Sequence, residues 1–474
     1  MPRKLVIVGF DGASFDFIKP VIDELPSFKK LIERGTHGRL ESTIPPITIP
    51  AWPSMSTGLN PGKLGVFDFR YMNDDYSFHT VDGSDIAGVP FWEYAGKKYK
   101  VAIANVPGTW PPSDVNGFLV TGMTTPEGRE FTYPKEFAGE IESEIPGYAD
   151  TFGASGKDPS KVYITFEKRM LLLEYLIKKD ADVLFFVFRI PDEFSHKKTI
   201  SKEDMPECYR TMDRALGKII KMSEGSNIMV VSDHGFEFNE SEPFFVNDWL
   251  RKRGYLKLKG RASLLAKRAL FKARKKPAYI YDLIDGKKTK AFSYNISSAR
   301  SFGVWVNMEG RFKEGAVKDR EGVVNSIVKD LASDPNIERV LKADDIYSGE
   351  NRKHLPDIVA FSKGPAYTTV FPTETEKGIH STHGIFIAHG PDIAVGKEIA
   401  NARITDIAPT VLHLLGIRVP DNMDGEPLDI FEGRSGISRK VSYVKASKAK
   451  KKKSVRSKDD EEKMRQRLKE LGYI

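Results

Sequence analysis

Short apolar runs recur along the chain, and each one stops abruptly at a polar residue. Residues 4–10 (KLVIVGF), 182–188 (DVLFFVF) and 227–232 (NIMVVS) are apolar at nearly every position, without the alternation of a half-exposed strand. Such runs read as parallel strands buried on both faces. Residues 101–106, 117–121, 304–308, 357–361 and 384–388 add further strands. Helical spacing of apolar residues marks 25–35, 162–178, 205–222 and 404–415. Strands alternating with helices predict an α/β fold with a central, mostly parallel sheet and helices on both faces. Residues 122–161, rich in Pro, Gly and Glu, are expected to be surface loops.

Where the runs stop, chemistry begins. Asp11 follows the first strand directly, Pro191-Asp192 comes just past the second, and Asp233-His234 closes the third. Ligands of open α/β sheets bind beyond the carboxyl ends of strands, so these acids can share a site despite their separation in sequence. Asp192 and His196 are four apart, on one face of a helical turn, and such a pair suits a borderline metal such as zinc. His380 lies in a loop ahead of the 384–388 strand, with His383 as a rival for the same role.

In the stretch 44–58 (IPPITIPAWPSMSTG), Thr48 stands where a proline-rich loop turns into a helix. Threonine is a good N-cap and Pro50 suits the first turn, so a helix is expected to start at or just after Thr48. A helix start favours anions, but a hydroxyl there becomes a nucleophile only beside a metal or a base. Alone, Thr48 reads as a cap.

Composition changes the picture in three places. Among 474 residues there is a single cysteine, Cys208, which excludes an internal disulfide framework and a cysteine-based zinc finger, so any metal must be held by histidine and carboxylate. The formal charge of +8 is local: residues 439–474 carry +9 and the rest of the chain −1. A basic tail on a near-neutral body is weak support for nucleic-acid binding. No apolar run is long enough to span a bilayer, and the first run ends in an aspartate without a cleavage site, which predicts a cytoplasmic protein.

These features predict a catalytic domain over 1–438 with a basic, aromatic-containing cap inserted at about 242–320. Within the cap, Leu264, Leu265, Leu270 and Phe271 oppose Lys267, Arg268, Lys272 and Arg274, as in an amphipathic surface helix. A solvated basic linker is expected at 439–458, with RNA or anionic membrane as the less favoured partner. A C-terminal helix at 459–474 is expected to dock through Met464, Leu468 and Leu471.

Several segments together resemble the alkaline phosphatase superfamily and, within it, the type I phosphodiesterase/nucleotide pyrophosphatase family. They are Val8-Gly9-Phe10-Asp11-Gly12; Thr48-Ile49-Pro50 with Ser56-Thr57-Gly58; Pro191-Asp192 with His196; Ser232-Asp233-His234-Gly235; His380 ahead of Gly384-Ile385-Phe386; and 406–416 (DIAPTVLHLLG) with 423–428 (MDGEPL). The resemblance implies an alkaline-phosphatase-like sandwich and two divalent ions, zinc or manganese. One would be held by Asp192, His196 and His380, the other by Asp11, Thr48, Asp233 and His234. It also implies hydrolysis of phosphodiester or pyrophosphate bonds in a small-molecule phosphoester, nucleotides included, through a phospho-threonine at Thr48. Other branches of the superfamily stay open: a phosphomonoesterase, a phosphoglycerate mutase or a phosphonate hydrolase. A sulfatase does not fit, because Thr48 is followed by Ile49-Pro50-Ala51-Trp52 with no arginine. Three residues after Thr48, where nucleotide pyrophosphatases carry an asparagine, this chain has Ala51.

Overall fold

The computed structural model describes residues 4–152, 158–260, 283–294, 299–369, 378–432, 440–447 and 455–471. The three apolar runs whose ends carry acids lie side by side. Leu5–Phe10 is central, flanked by Val183–Phe188 and Asn227–Val231, both parallel to it. Register puts Phe10 beside Phe188 and Gly9 beside Val231, so the three strands end level. Val101–Val106 and Gly117–Thr121 continue the parallel block beyond Val183–Phe188. On the other side His383–His389 runs antiparallel between Asn227–Val231 and Thr36–Glu41. Short edge strands complete a sheet of ten.

Helices cover both faces. Met205–Met222 buries Cys208, Tyr209, Met212, Ala215, Leu216 and Ile219, a stripe at helical spacing, and packs with Pro26–Glu33 and Ser160–Lys178 on one face. Thr48–Thr57, Phe91–Ala95 and Ile407–Leu414 cover the other through Trp52, Met55, Phe91, Val411 and Leu412. Each fully buried side chain of this size contributes about 1.5–3 kcal/mol, which is how two long-range layers hold the strand ends in place.

Three expectations change. Ser301–Val306 and Ile358–Ser362 belong to a separate antiparallel sheet, in the order Ala291–Phe292, Ser301–Val306, Ile358–Ser362, Ile337–Lys342. With the helices Val246–Lys252 and Arg320–Ala332 this sheet builds its own core around Trp249, Phe292, Trp305 and Leu331. That core takes in residues past 320, as far as Ala366 in the strand Ala366–Tyr367. Both of its long strands are buried along their length, so they look like strands of the main sheet in sequence. The amphipathic stretch 264–274 lies outside the described residues.

Residues 122–161 are more than loops: Phe137–Glu144 is a helix anchored by Phe137 and Ile141, and Tyr148 and Phe152 enter the core. In the basic segment, Tyr443–Val444 pairs with Val419–Pro420. Arg456 is held by Asp82 at 3.1 Å and Glu461 at 3.4 Å, its side chain only 9% exposed. Counting charges could not show that these acids wait for it. The helix Lys458–Leu471 follows, with Asp460, Met464 and Leu468 buried. Leu468 joins the apolar cluster that also contains Ile47 and Ile49, which flank Thr48. No helix among the described residues is long and apolar enough to cross a membrane.

Candidate active site

The level strand ends place their acids together. The Asp11 N–H donates to Phe188 O at 2.9 Å, and the Asp192 N–H donates to Asp11 O at 3.0 Å, stitching two strand ends into one ledge. Asp192–Ser195 is a single helical turn with His196 at its end, which brings Asp192 Oδ1 and His196 Nε2 to 3.2 Å. His380 comes from Gly378–Ser381, antiparallel to Gly235–Phe238 with His380 opposite Phe236. Its Nε2 lies 3.2 Å from Asp192 Oδ1 and 2.9 Å from His196 Nε2. All three side chains are buried.

His234 forms the other half. Its Nε2 lies 3.4 Å from Asp11 Oδ1, 3.3 Å from Asp233 Oδ2 and 3.5 Å from Thr48 Oγ1. Asp192 stands between the halves, with ligand atoms of Asp11, Asp192 and His234 all within 4.8 Å of one another. The Gly12 N–H donates to Asp233 Oδ1 at 3.3 Å, and Ser42 Oγ donates to Asp233 O at 2.5 Å.

Proton placement tests whether these donors fit a cation. A carbonyl only accepts, so His380 Nδ1 carries a hydrogen for Pro46 O at 2.9 Å, and His234 Nδ1 carries one for Gly235 O at 3.0 Å. His234, neutral under burial, then has its lone pair on Nε2, facing the Asp11 and Asp233 carboxylates, acceptor against acceptor, and His380 turns the same ring atom toward Asp192 and His196. Asp11 Oδ1 and Asp233 Oδ2 are buried and receive no hydrogen bond among the described residues. Burial, then the charges of Asp233 and Asp192, push the Asp11 carboxyl well above its usual range, and burial with Asp192 does the same to Asp233. Although burial opposes its ionisation, Asp192 is held well below that range by His196 and His380. Burial and His380 keep His234 neutral. Converging lone pairs from imidazole and carboxylate, without sulfur, are the donor set of a zinc- or manganese-type ion, and a cation would relieve every one of these conflicts.

The helix starts at Thr48, as expected, but the threonine is not its cap. The N-cap of Thr48–Thr57 is Ile47, which makes no side-chain cap bond, and regular helical geometry is broken at Ile49. The Thr48 hydroxyl instead faces His234, fully buried. The helix start offers few donors to an anion, since Pro50 and Pro53 have no N–H and the Ala51 N–H is taken by Ile47 O at 2.9 Å.

Trp52 carries a role that sequence reading missed. Its Nε1–H donates to Asp11 Oδ2 at 3.2 Å, and its ring lies so close over Gly9 that a Cβ there would meet it at 2.4 Å. The signal was present as a large aromatic beside the departure at Ala51. His383 is exposed on the far side of the His380 turn, opposite Glu41, and the structure does not bring it to the group. His37, His79, His354, His389 and His413 also lie outside both candidate groups; His79, for example, binds Asp85 at 3.0 Å.

The family model for type I phosphodiesterase / nucleotide pyrophosphatase matches residues 5–392. Among solved structures, the chain is similar to murine ectonucleotide pyrophosphatase / phosphodiesterase 5, an inactive form in complex with AMP. The TM-score is 0.57 at 16% identity, covering 91% of this chain and 100% of that one. The human protein of the same name gives 0.57 at 17%, with the same coverage. At such identity the likeness speaks for the fold, an alkaline-phosphatase-like α/β architecture. A 2,3-bisphosphoglycerate-independent phosphoglycerate mutase of Clostridium beijerinckii is 35% identical over 71 residues, 15% of this chain; the match spans only 12% of that protein's length.

Proposed function

The chain belongs to the type I phosphodiesterase / nucleotide pyrophosphatase family, and from that premise we propose that it hydrolyses phosphodiester or pyrophosphate bonds, with Thr48 as nucleophile and two divalent ions, zinc or manganese, as cofactors. The observation that carries this reading is the position of the Thr48 hydroxyl, 3.5 Å from His234 Nε2 at the rim of the histidine and aspartate cluster. Asp192, His196 and His380 would hold one ion, and Asp11, Asp233, His234 and Thr48 the other. Such ions lower the pKa of a hydroxyl and neutralise phosphoryl charge. Thr48 Oγ1 forms a bond to phosphorus as the bond to the leaving oxygen breaks, giving a phospho-threonine. Water then cleaves the Oγ1–phosphorus bond, so two displacements give net retention at phosphorus. Because the helix start supplies few N–H groups, most of the charge stabilisation falls to the histidine and aspartate cluster and what it holds.

A second reading is a phosphoglycerate mutase-like transfer, favoured by the 71-residue likeness. It would use the same threonine but return the phosphoryl group to a second hydroxyl instead of water. The deciding experiment compares a nitrophenyl phosphodiester with the matching monoester, zinc or manganese added, in wild type and Thr48→Ala. Preference for the diester and a loss of more than about a thousand-fold in the variant are expected, as for removal of other nucleophiles. Full activity in Thr48→Ala removes the nucleophile assignment; strong monoester preference removes the diesterase.

A further inference from the structure

Along the carboxyl edge of the main sheet, acids give way to bases. Val183–Phe188 leads to Asp192 but also to Arg189 and, one turn past Asp192, to Lys197. Arg169 from Ser160–Lys178 and Arg467 from the C-terminal helix meet them there. The four are 2–8% exposed. Glu193 faces Arg189 at 2.9 Å and Lys197 at 4.0 Å. The guanidinium groups of Arg169 and Arg189 share one acceptor, Thr151 O, at 3.4 and 3.2 Å. Arg169 Nε and Nη1 are buried with no acceptor among the described residues.

The neighbouring strand ends add unspent donors and strain. Asn105, at the end of Val101–Val106, has φ +60° and accepts from Tyr148 OH at 2.7 Å, while its Nδ2 is buried without an acceptor among the described residues. Thr124, just past Gly117–Thr121, has φ +78°, rare for a β-branched residue, and its buried Oγ1 has no partner among the described residues. Strained residues and unsatisfied donors cluster where a ligand completes the structure. Arg189 has Glu193 beside it, but the buried Arg169 guanidinium, with one shared carbonyl at 3.4 Å, is costly unless an anion joins it. Burial and then Arg189 push the Arg169 pKa down to about 9.

We propose that Arg169, Arg189, Lys197 and Asn105 form an anion subsite next to the metal-ligand cluster, which holds a second acidic group of the substrate, a phosphate or a carboxylate, remote from the scissile phosphorus. This rests on the phosphoesterase reading above. Arginine forks suit both oxyanions bidentately, and binding energy from a remote group is the means by which a substrate is selected and oriented.

The test uses three nitrophenyl phosphodiesters that differ in the second alcohol: propyl, 2-carboxyethyl and 2-phosphoethyl. In metal-loaded wild type one or both acidic esters should exceed the propyl ester at least tenfold in kcat/KM, mainly through KM, and which one does so identifies the oxyanion. Arg169→Met should remove that preference while leaving the propyl ester within about threefold, and Arg169→Lys should keep part of it. Equal rates for all three esters in wild type overturn the subsite while leaving the phosphoesterase intact. So does an equal loss on all three in Arg169→Met at unchanged melting temperature. If Arg169→Met does not fold, Asn105→Ala takes its place. If no ester is hydrolysed, the functional reading fails and calorimetry decides the subsite. Tenfold tighter binding of methylenediphosphonate than of methylphosphonate, lost in Arg169→Met, supports it; equal affinities overturn it.

Discussion

Replacing Trp52 with phenylalanine separates support of the candidate centre from support of the fold. The indole is fully buried and its ring packs 6.0 Å from that of Phe185, so phenylalanine keeps an apolar ring in the layer. What disappears is the 3.2 Å bond from Nε1–H to Asp11 Oδ2. A hydrogen bond to a charged group is worth about 1.5–3 kcal/mol. Loss of such a partner behind a metal ligand typically lowers metal affinity about 10–100-fold, which is about 1.4–2.7 kcal/mol and agrees with the first figure. The assay is zinc or manganese reactivation of chelator-stripped protein. The activation midpoint should rise by that factor, and activity at saturating metal should return to within a few-fold. An unchanged midpoint in a folded Trp52→Phe protein refutes the claim that this bond positions Asp11. Gly9→Ala should produce a similar shift by another route, because its methyl would sit 2.4 Å from Cη2 of the indole. The double variant should be no worse than either single one, since phenylalanine does not reach the space the methyl takes.

Other outcomes follow from neighbouring contacts. His380→Ala should abolish metal-dependent activity and lower the metal content of the purified protein, while His383→Ala, on an exposed residue, leaves both near wild type. Leu468 is 1% exposed within the apolar cluster that holds Ile47 and Ile49, so Leu468→Ala should cost about 2–5 kcal/mol of local stability, seen as faster hydrogen exchange in the C-terminal helix; exchange at the wild-type rate contradicts the docking. Arg129, at 2.6 Å, and the Ser457 N–H and hydroxyl pull the Asp460 pKa down to about 2. The folded value lies below the unfolded value of about 3.9, so this anchor is fully present above pH about 4 and is lost as pH falls towards 2. Hydrogen exchange from 464 to 468 should therefore accelerate on acidification through that window, and Asp460→Asn should show the loosened helix already at neutral pH with no further step there.

The strand-end acids were legible because a strand buried on both faces has an unmistakable end: the apolar run stops and the next residue must do something else. That is why Asp11, Asp192 and Asp233 could be grouped from sequence. The same uniform burial hid the separate antiparallel sheet, since Ser301–Val306 reads like a main-sheet strand when neither face alternates. Thr48 could be singled out only through the motifs around it, because capping preference reports that a hydroxyl suits a helix start, not which group it faces. Arg456 and the Tyr443–Val444 strand were hidden by their lysine-rich surroundings, in which composition speaks for solvent and the partners, Asp82 and Val419–Pro420, lie far away in the chain.

Uniform burial also raises the question of what sets the register on which the centre depends. Slipping Leu5–Phe10 by one residue against Val183–Phe188 would exchange one apolar face for another, a small loss in burial compared with a strand that has a wet side. It would also carry Asp11 away from the level of Asp192, breaking the ledge made by Asp192 N–H and Asp11 O. Gly9 resists that slip. Only a residue without Cβ fits under the Trp52 ring, and a shift would bring Val8 or Phe10 beneath it. The contact that holds the Asp11 carboxylate thus also fixes where Asp11 falls along the sheet edge, so packing and chemistry in this chain share a single determinant.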